Sequence, residues 1–221
     1  MTQSVIILLI VFGCVSIFHL ISTLFKNPTA RFISKPFCMT ILGVATIIAI
    51  PNYPLVYIGV LLSLAGDIVI LFSKKNKIFF GISILVFFGT HICYLSQILL
   101  SFPYHIEWYF YLIGVALCII TTIFSLHFVS KKIETKIAVP GTFYLVTIFY
   151  VIVCAIILCC SLQKVWPVLL IIIGYLLFFI SDNCLVVFKF IIKIKHEHFY
   201  VMLTYLSAQI LIVIGFILLL A

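Results

Sequence analysis

The sequence predicts an all-α integral membrane protein, a bundle of eight transmembrane helices whose two termini are both extracytoplasmic. Hydrophobic residues make up 66% of the 221 residues and charged residues only 8%, whereas a soluble domain is nearer half apolar and a quarter charged. The apolar residues form long continuous runs, and the basic residues collect in alternate connections between those runs. Long unbroken runs indicate helices, because a membrane barrel would show alternating segments of about ten residues.

Eight apolar runs divide the chain, and most are long enough to cross about 30 Å of hydrocarbon as helices. They cover residues 4–25, 36–50, 53–73, 78–100, 107–129, 138–160, 165–188 and 199–220. Four prolines support these boundaries, because each falls in the first turn of a run, where the missing N–H is not needed: Pro36, Pro54, Pro140 and Pro167. The connections are short, so successive helices are expected to be antiparallel neighbours within one domain, residues 1–221.

The lysines and arginines predict the orientation. Twelve of the 13 follow the first, third, fifth and seventh runs, and only Lys164 lies in a connection on the other side. Because the bias of basic residues in short loops sets orientation, those four connections are expected to be cytoplasmic. The same bias accounts for the net charge of +8. No nucleic-acid partner is expected, since the basic residues form no continuous stripe.

Two acidic residues are embedded in the apolar runs. The chain has five acidic residues, of which only Asp67 and Asp182 lie within a predicted helix interior. An ionisable side chain at such depth costs several kcal/mol and is a candidate functional residue. The rise per residue puts Asp67 about 9 Å and Asp182 about 10 Å from the basic ends of their runs. We therefore expect both to face one cavity that opens toward the cytoplasmic leaflet. The structural alternative is that each aspartate only hydrogen-bonds a neighbouring helix.

Other polar residues fall at related depths. Tyr205 is expected level with the aspartates, and Gln209 lies one turn deeper on the same face. His91 is deeper, at about 20 Å from its helix end, and Lys35 is expected at the mouth of the cavity. A stripe of small residues beside Asp67 would let its helix approach a neighbour closely: Gly59, Ser63 and Gly66.

A faint internal similarity suggests a duplication. Residues 61–67 align with residues 176–182, so that one aspartate falls on the other, and the same shift brings Tyr94 onto Gln209. An offset of four helices preserves orientation, as a parallel repeat requires. The two halves would be residues 1–105 and 106–221.

Five short motifs in order resemble those of the YhhN-like lysoplasmalogenases. They are Arg31…Lys35-Pro36, Gly66-Asp67, His91…Tyr94, Ser181-Asp182 and Tyr205…Gln209. The resemblance covers nearly the whole chain and implies eight helices, no metal and no organic cofactor. It implies hydrolysis of the vinyl-ether bond of lysoplasmalogens that carry ethanolamine or choline, giving a fatty aldehyde and a glycerophospho-alcohol. The implied partners are the lysophospholipid substrate and the bilayer, in a bacterial inner membrane if the source is prokaryotic.

The embedded residues suit this chemistry independently. Vinyl-ether hydrolysis needs an acid to protonate the β-carbon and a base for the attacking water, and a carboxylate stabilises the cation formed between these steps. Two nearby carboxyls resist ionising together, so one can remain protonated as the acid. Asp67 and Asp182 are the predicted catalytic pair, and Lys35, with Arg31, would hold the phosphate. The predicted binding and orienting residues are Lys35, His91, Tyr94, Ser181, Tyr205 and Gln209.

Two other classes of membrane protein use paired acids. A proton-coupled transporter is the main alternative, although no proline lies in the middle of a run to break a helix. An intramembrane aspartyl protease usually shows Gly-x-Gly-Asp, and here Leu64 occupies the first glycine position. A zinc hydrolase is disfavoured because His19, His91 and His127 lie at different depths on separate helices.

Overall fold

The structure is a computed structural model that describes residues 2–74, 76–101, 135–161, 165–190 and 192–221, together with residues 112, 115, 116, 119, 120 and 123. Among the described residues the regular elements are helices. They are α1 (Gln3–Leu24), α2 (Pro28–Ala49), α3 (Pro54–Leu71), α4 (Lys77–Leu100), α5 (Thr135–Ser161), α6 (Val165–Phe190) and α7 (Glu197–Leu220). A short 3₁₀ turn, Phe72–Lys74, follows α3.

The prediction of an all-helical multi-pass membrane protein is confirmed. All seven helices are long and apolar enough to cross a membrane. The fifth of the eight predicted spans, residues 107–129, lies largely outside the described residues. The positions described there, such as Leu112 and Ile119, are helical.

Large apolar side chains cover the outside of the bundle. Ile10 and Ile17 of α1 are 61% and 60% exposed, and Leu85 of α4 is 59% exposed. A protein in water rarely exposes apolar patches on this scale, whereas lipid tails solvate them well. These faces therefore mark the surface that contacts the bilayer.

Consecutive helices pack against one another, and the last returns to the first. Each described helix contacts the next, from α1 to α7, and α7 also contacts α1 and α2. α4 and α5 touch directly, although residues 101–134 lie between them in the chain. This arrangement brings α2, α3, α6 and α7 to one interior region.

Two helices begin earlier than the apolar runs indicated. α2 begins at Pro28, where the Asn27 side chain accepts a hydrogen bond from the Ala30 N–H at 3.1 Å, so Pro36 lies inside the helix. α5 begins at Thr135, so Pro140 also lies beyond the first turn. The run boundaries were wrong here because each helix starts with polar residues. Pro54 and Pro167 do lie in first turns.

The contact between α6 and α7 depends on two glycines. A Cβ at Gly174 would lie 3.0 Å from the Ala208 carbonyl oxygen, and a Cβ at Gly215 would lie 2.7 Å from the Pro167 carbonyl oxygen. Each glycine therefore lets the opposing backbone approach, which is the usual way that membrane helices gain van der Waals contact.

The first prediction concerns membrane orientation. Because twelve of the 13 basic residues lie in or beside four connections, cysteines or tags inserted after Lys75 and after Lys132 should be cytoplasmic, and a tag at Ala221 should be extracytoplasmic. Accessibility to an impermeant thiol reagent in intact cells would measure this. A cytoplasmic tag at Ala221 would contradict the orientation.

The second prediction concerns the α6–α7 contact. We expect Gly215→Ala to lower the free energy of unfolding by about 1–3 kcal/mol, because the new methyl group would overlap the backbone of α6. The loss should appear as a lower thermal midpoint in detergent.

Gly13→Ala is the matched control, since no atom lies within 4 Å of a Cβ built there. Both glycines are in helix interiors, so the gain in helix propensity is the same for both. Equal free energies of unfolding for Gly215→Ala and Gly13→Ala would show that the close contact between α6 and α7 at Gly215 does not determine stability.

Candidate functional site

Asp67 lies in the centre of the bundle and has two partners from two other helices. Lys35 of α2 places its Nζ 2.9 Å from Oδ1 of Asp67, and the Tyr205 hydroxyl of α7 donates to Oδ2 at 2.8 Å. Asp67 is fully buried, and the Lys35 side chain is only 13% exposed. The structure thus places Lys35 against the carboxylate.

The small residues beside Asp67 accept the aromatic side chains of α4. A Cβ at Gly59 would lie 2.4 Å from the Tyr94 ring, and one at Gly66 would lie 3.0 Å from the Phe87 ring. Ser63, between them, donates its hydroxyl to Thr90 at 3.3 Å. The stripe allows close packing as expected, and ring atoms fill the space.

Asp182 belongs to a second set of contacts. The Tyr144 hydroxyl of α5 donates to Oδ2 of Asp182. His91 of α4 lies between two tyrosines, with Nε2 3.3 Å from the Tyr144 hydroxyl and Nδ1 3.3 Å from the Tyr175 hydroxyl. Since the Tyr144 proton is directed at Asp182, we assign the His91 proton to Nε2, which leaves Nδ1 to accept from Tyr175.

Aromatic rings join the two sets of contacts. Phe178 packs its ring 4.8 Å from that of His91 and 5.5 Å from that of Tyr205, measured between centroids. The two carboxyls are thus linked through Tyr205, Phe178, His91 and Tyr144. The aspartates therefore share one region, and Asp182 is the more accessible because it is only partly buried.

The remaining predicted residues have their described contacts with groups other than the two carboxyls. Gln209 donates from Nε2 to Ser63 at 3.2 Å. The Tyr94 ring packs against Tyr175 and Phe216, with centroids 6.5 Å and 5.4 Å away. Ser181 donates to the Val201 carbonyl at 3.0 Å, which ties α6 to α7.

Two tyrosines that contact this region were missed by the sequence reasoning. Tyr144 and Tyr175 are buried hydroxyl-bearing residues within apolar runs. Neither position belongs to the motifs shared with the family, and neither residue is an acid or a histidine. Their depth was the available signal, since tyrosines usually lie at the ends of membrane helices.

Arg31 and Glu197 lie on the outer side of the ion pair. Arg31 precedes Lys35 by about one turn, toward the start of α2, and is partly buried. It interacts electrostatically with Glu197, the first residue of α7. A guanidinium therefore remains at the edge of the cluster, beyond Lys35.

Comparison with known proteins identifies one relationship. The model of the YhhN family matches residues 4–216, nearly the whole chain. Searches of curated proteins and of solved structures each found no match.

Proposed function

The chain belongs to the YhhN family, which is the lysoplasmalogenase family, and from this membership we propose that it hydrolyses the vinyl-ether bond of lysoplasmalogens. The substrates would be lysoplasmenyl-ethanolamine and lysoplasmenyl-choline, and the products a fatty aldehyde and a glycerophospho-alcohol. The observation that supports the proposal is the pair of embedded carboxyls, Asp67 and Asp182, which aromatic contacts link inside a bundle that contacts lipid.

The reaction needs a proton donor beside an anion. One carboxyl gives its proton to the β-carbon of the vinyl ether, and the C=C electron pair forms the new C–H bond. The other carboxylate stabilises the oxocarbenium ion that results, as in glycosidases. Water then attacks the α-carbon and loses a proton to the first carboxyl. The hemiacetal then collapses: its hydroxyl loses a proton as the C=O bond forms, the C–O bond to glycerol breaks, and the glycerol oxygen takes up a proton, which releases aldehyde and alcohol.

Hydroxyl groups around the carboxyls would orient them for these steps. Tyr205 and Tyr144 each donate to one aspartate, so both carboxyls have a defined direction. Arg31, at the edge of the cluster, would bind the phosphate, because a guanidinium matches phosphate oxygens in a bidentate manner.

The hydrocarbon chain of the substrate would occupy a crevice between α4 and α5. The crevice has a volume of about 300 Å³ and is lined by Ile92, Leu95, Val115, Ile119, Val146, Thr147 and Tyr150. Leu95 follows His91 by one turn, and Thr147 follows Tyr144 by about one turn. The crevice therefore lies about one helical turn beyond the His91–Tyr144 contact along both helices.

The third prediction tests the reaction. Purified protein should release aldehyde from a lysoplasmalogen and none from the saturated lysophospholipid of the same head group, because only the vinyl ether can be protonated at carbon. Asp67→Asn and Asp182→Asn should each abolish release. Since the two carboxyls would act as a unit, the double variant should be hardly worse than either single one.

Folding controls accompany this assay, and size-exclusion profiles should show that each variant remains monodisperse. Aldehyde release by folded Asp67→Asn and Asp182→Asn variants would show that the carboxyls are not catalytic. Equal hydrolysis of the two lipids would show that the vinyl ether is not the bond that is cleaved.

The fourth prediction tests the crevice. Leu95→Trp should lower kcat/KM for a long alkenyl chain about tenfold relative to a short chain, because the larger side chain would fill the inner part of the crevice. Leu85→Trp, on a lipid-exposed face of the same helix, should leave the ratio unchanged. If Leu95→Trp and Leu85→Trp gave the same ratio of kcat/KM for the long and the short substrate, the alkenyl chain would bind outside this crevice.

A further inference from the structure

The two aspartates have different electrostatic surroundings. Both oxygens of Asp67 are engaged, one by the Lys35 ammonium at 2.9 Å and one by the Tyr205 hydroxyl at 2.8 Å. The described contact of Asp182 is a hydroxyl group, that of Tyr144. The cation of the site therefore lies directly against one carboxyl.

We propose that Lys35 is a positioning residue that holds Asp67 as the carboxylate, so that Asp182 is the carboxyl that carries and delivers the proton. The charge state follows from the geometry of the cluster, and its use in catalysis rests on the proposed function. Asp67 then stabilises the oxocarbenium ion. Asp182 protonates the β-carbon and recovers a proton from the attacking water.

A count of charges supports this division. Lys35 contributes one positive charge, and Asp67 as a carboxylate contributes one negative charge. If Asp182 is protonated, the three residues are neutral together. If both carboxyls ionised, a net negative charge would lie within the membrane-spanning part of the bundle, where charge without a partner costs several kcal/mol.

The difference in burial between Asp67 and Asp182 supports the same assignment of carboxylate and acid. Asp67 is fully buried, with both oxygens engaged, so it is poorly placed to transfer a proton to carbon. Asp182 is only partly buried. The Tyr144 hydroxyl donates to Oδ2 of Asp182, which leaves Oδ1 to carry the acidic proton. His91 Nε2 lies 3.3 Å from the Tyr144 oxygen and would hold that hydroxyl in its direction.

Kinetic constants can distinguish a positioning role of Lys35 from a role in binding the substrate phosphate. Two substrates are compared, a lysoplasmenyl phospholipid and the corresponding 1-alkenyl glycerol, which has no phosphate. Lys35→Met should lower kcat by roughly 10²-fold on both substrates with KM nearly unchanged, because an interaction made in the transition state is weakened. Lys35→Arg, which keeps the charge, should retain most of the activity.

Two further variants complete this experiment. Lys35→Met with Asp67→Asn removes both charges, leaves no unpaired buried ion, and should be no worse than Asp67→Asn alone. Lys193→Met, an exposed lysine outside the cluster, should change neither constant. A rise in KM confined to the phospholipid would show that Lys35 binds the phosphate, and would overturn the proposal.

The position of the proton is measured directly by infrared spectroscopy of the substrate-free protein at neutral pH. A protonated carboxyl absorbs in its own carbonyl stretching band. We expect Asp182→Asn to remove that band, and the paired variant Lys35→Met with Asp67→Asn to retain it. A band that Asp182→Asn leaves unchanged would overturn the proposal. Because no substrate is present, this result stands apart from whether the protein hydrolyses lysoplasmalogens.

Discussion

A buried lysine and a buried aspartate face each other across α2 and α3, in a bundle whose outside is solvated by lipid. Neither charge has enough water around it to be stable alone, so the 2.9 Å contact between Lys35 and Asp67 restricts the rotations that α2 and α3 can adopt. Tyr205 then adds α7 through its 2.8 Å hydrogen bond. Three helices therefore converge on one carboxyl: α3 carries it, α2 supplies the ammonium group, and α7 supplies the hydroxyl donor.

Around the ion pair, glycines pack against large aromatic rings and against the backbone of neighbouring helices. Glycines at positions 59 and 66 of α3 make room for the rings of Tyr94 and Phe87, and glycines at 174 and 215 bring the backbones of α6 and α7 together. No hydrophobic effect drives helices together in lipid, so such shape matching must supply the association energy. The aromatic rings then fill the space between the carboxyls and limit the water that reaches them.

The result is an asymmetric site within a nearly apolar protein. Asp67 is enclosed by its counter-ion, whereas Asp182 remains partly accessible beside Tyr144 and His91. The crevice between α4 and α5 lies about one helical turn from this second group. A lipid with a polar head and a single chain matches this layout, since Arg31 lies at one end and apolar side chains line the other.

Sequence alone determined helicity, membrane insertion and the two embedded acids, because these follow from transfer free energies along a single chain. The depths of Asp67, Asp182 and Tyr205 also follow from sequence, since the rise of a helix is constant. Partner choice does not follow in this way. That Lys35 contacts Asp67, and that Tyr144 donates to Asp182, depends on how the helices are rotated and which faces meet. Rotation is set by packing among all the helices at once, so only the tertiary structure decides it.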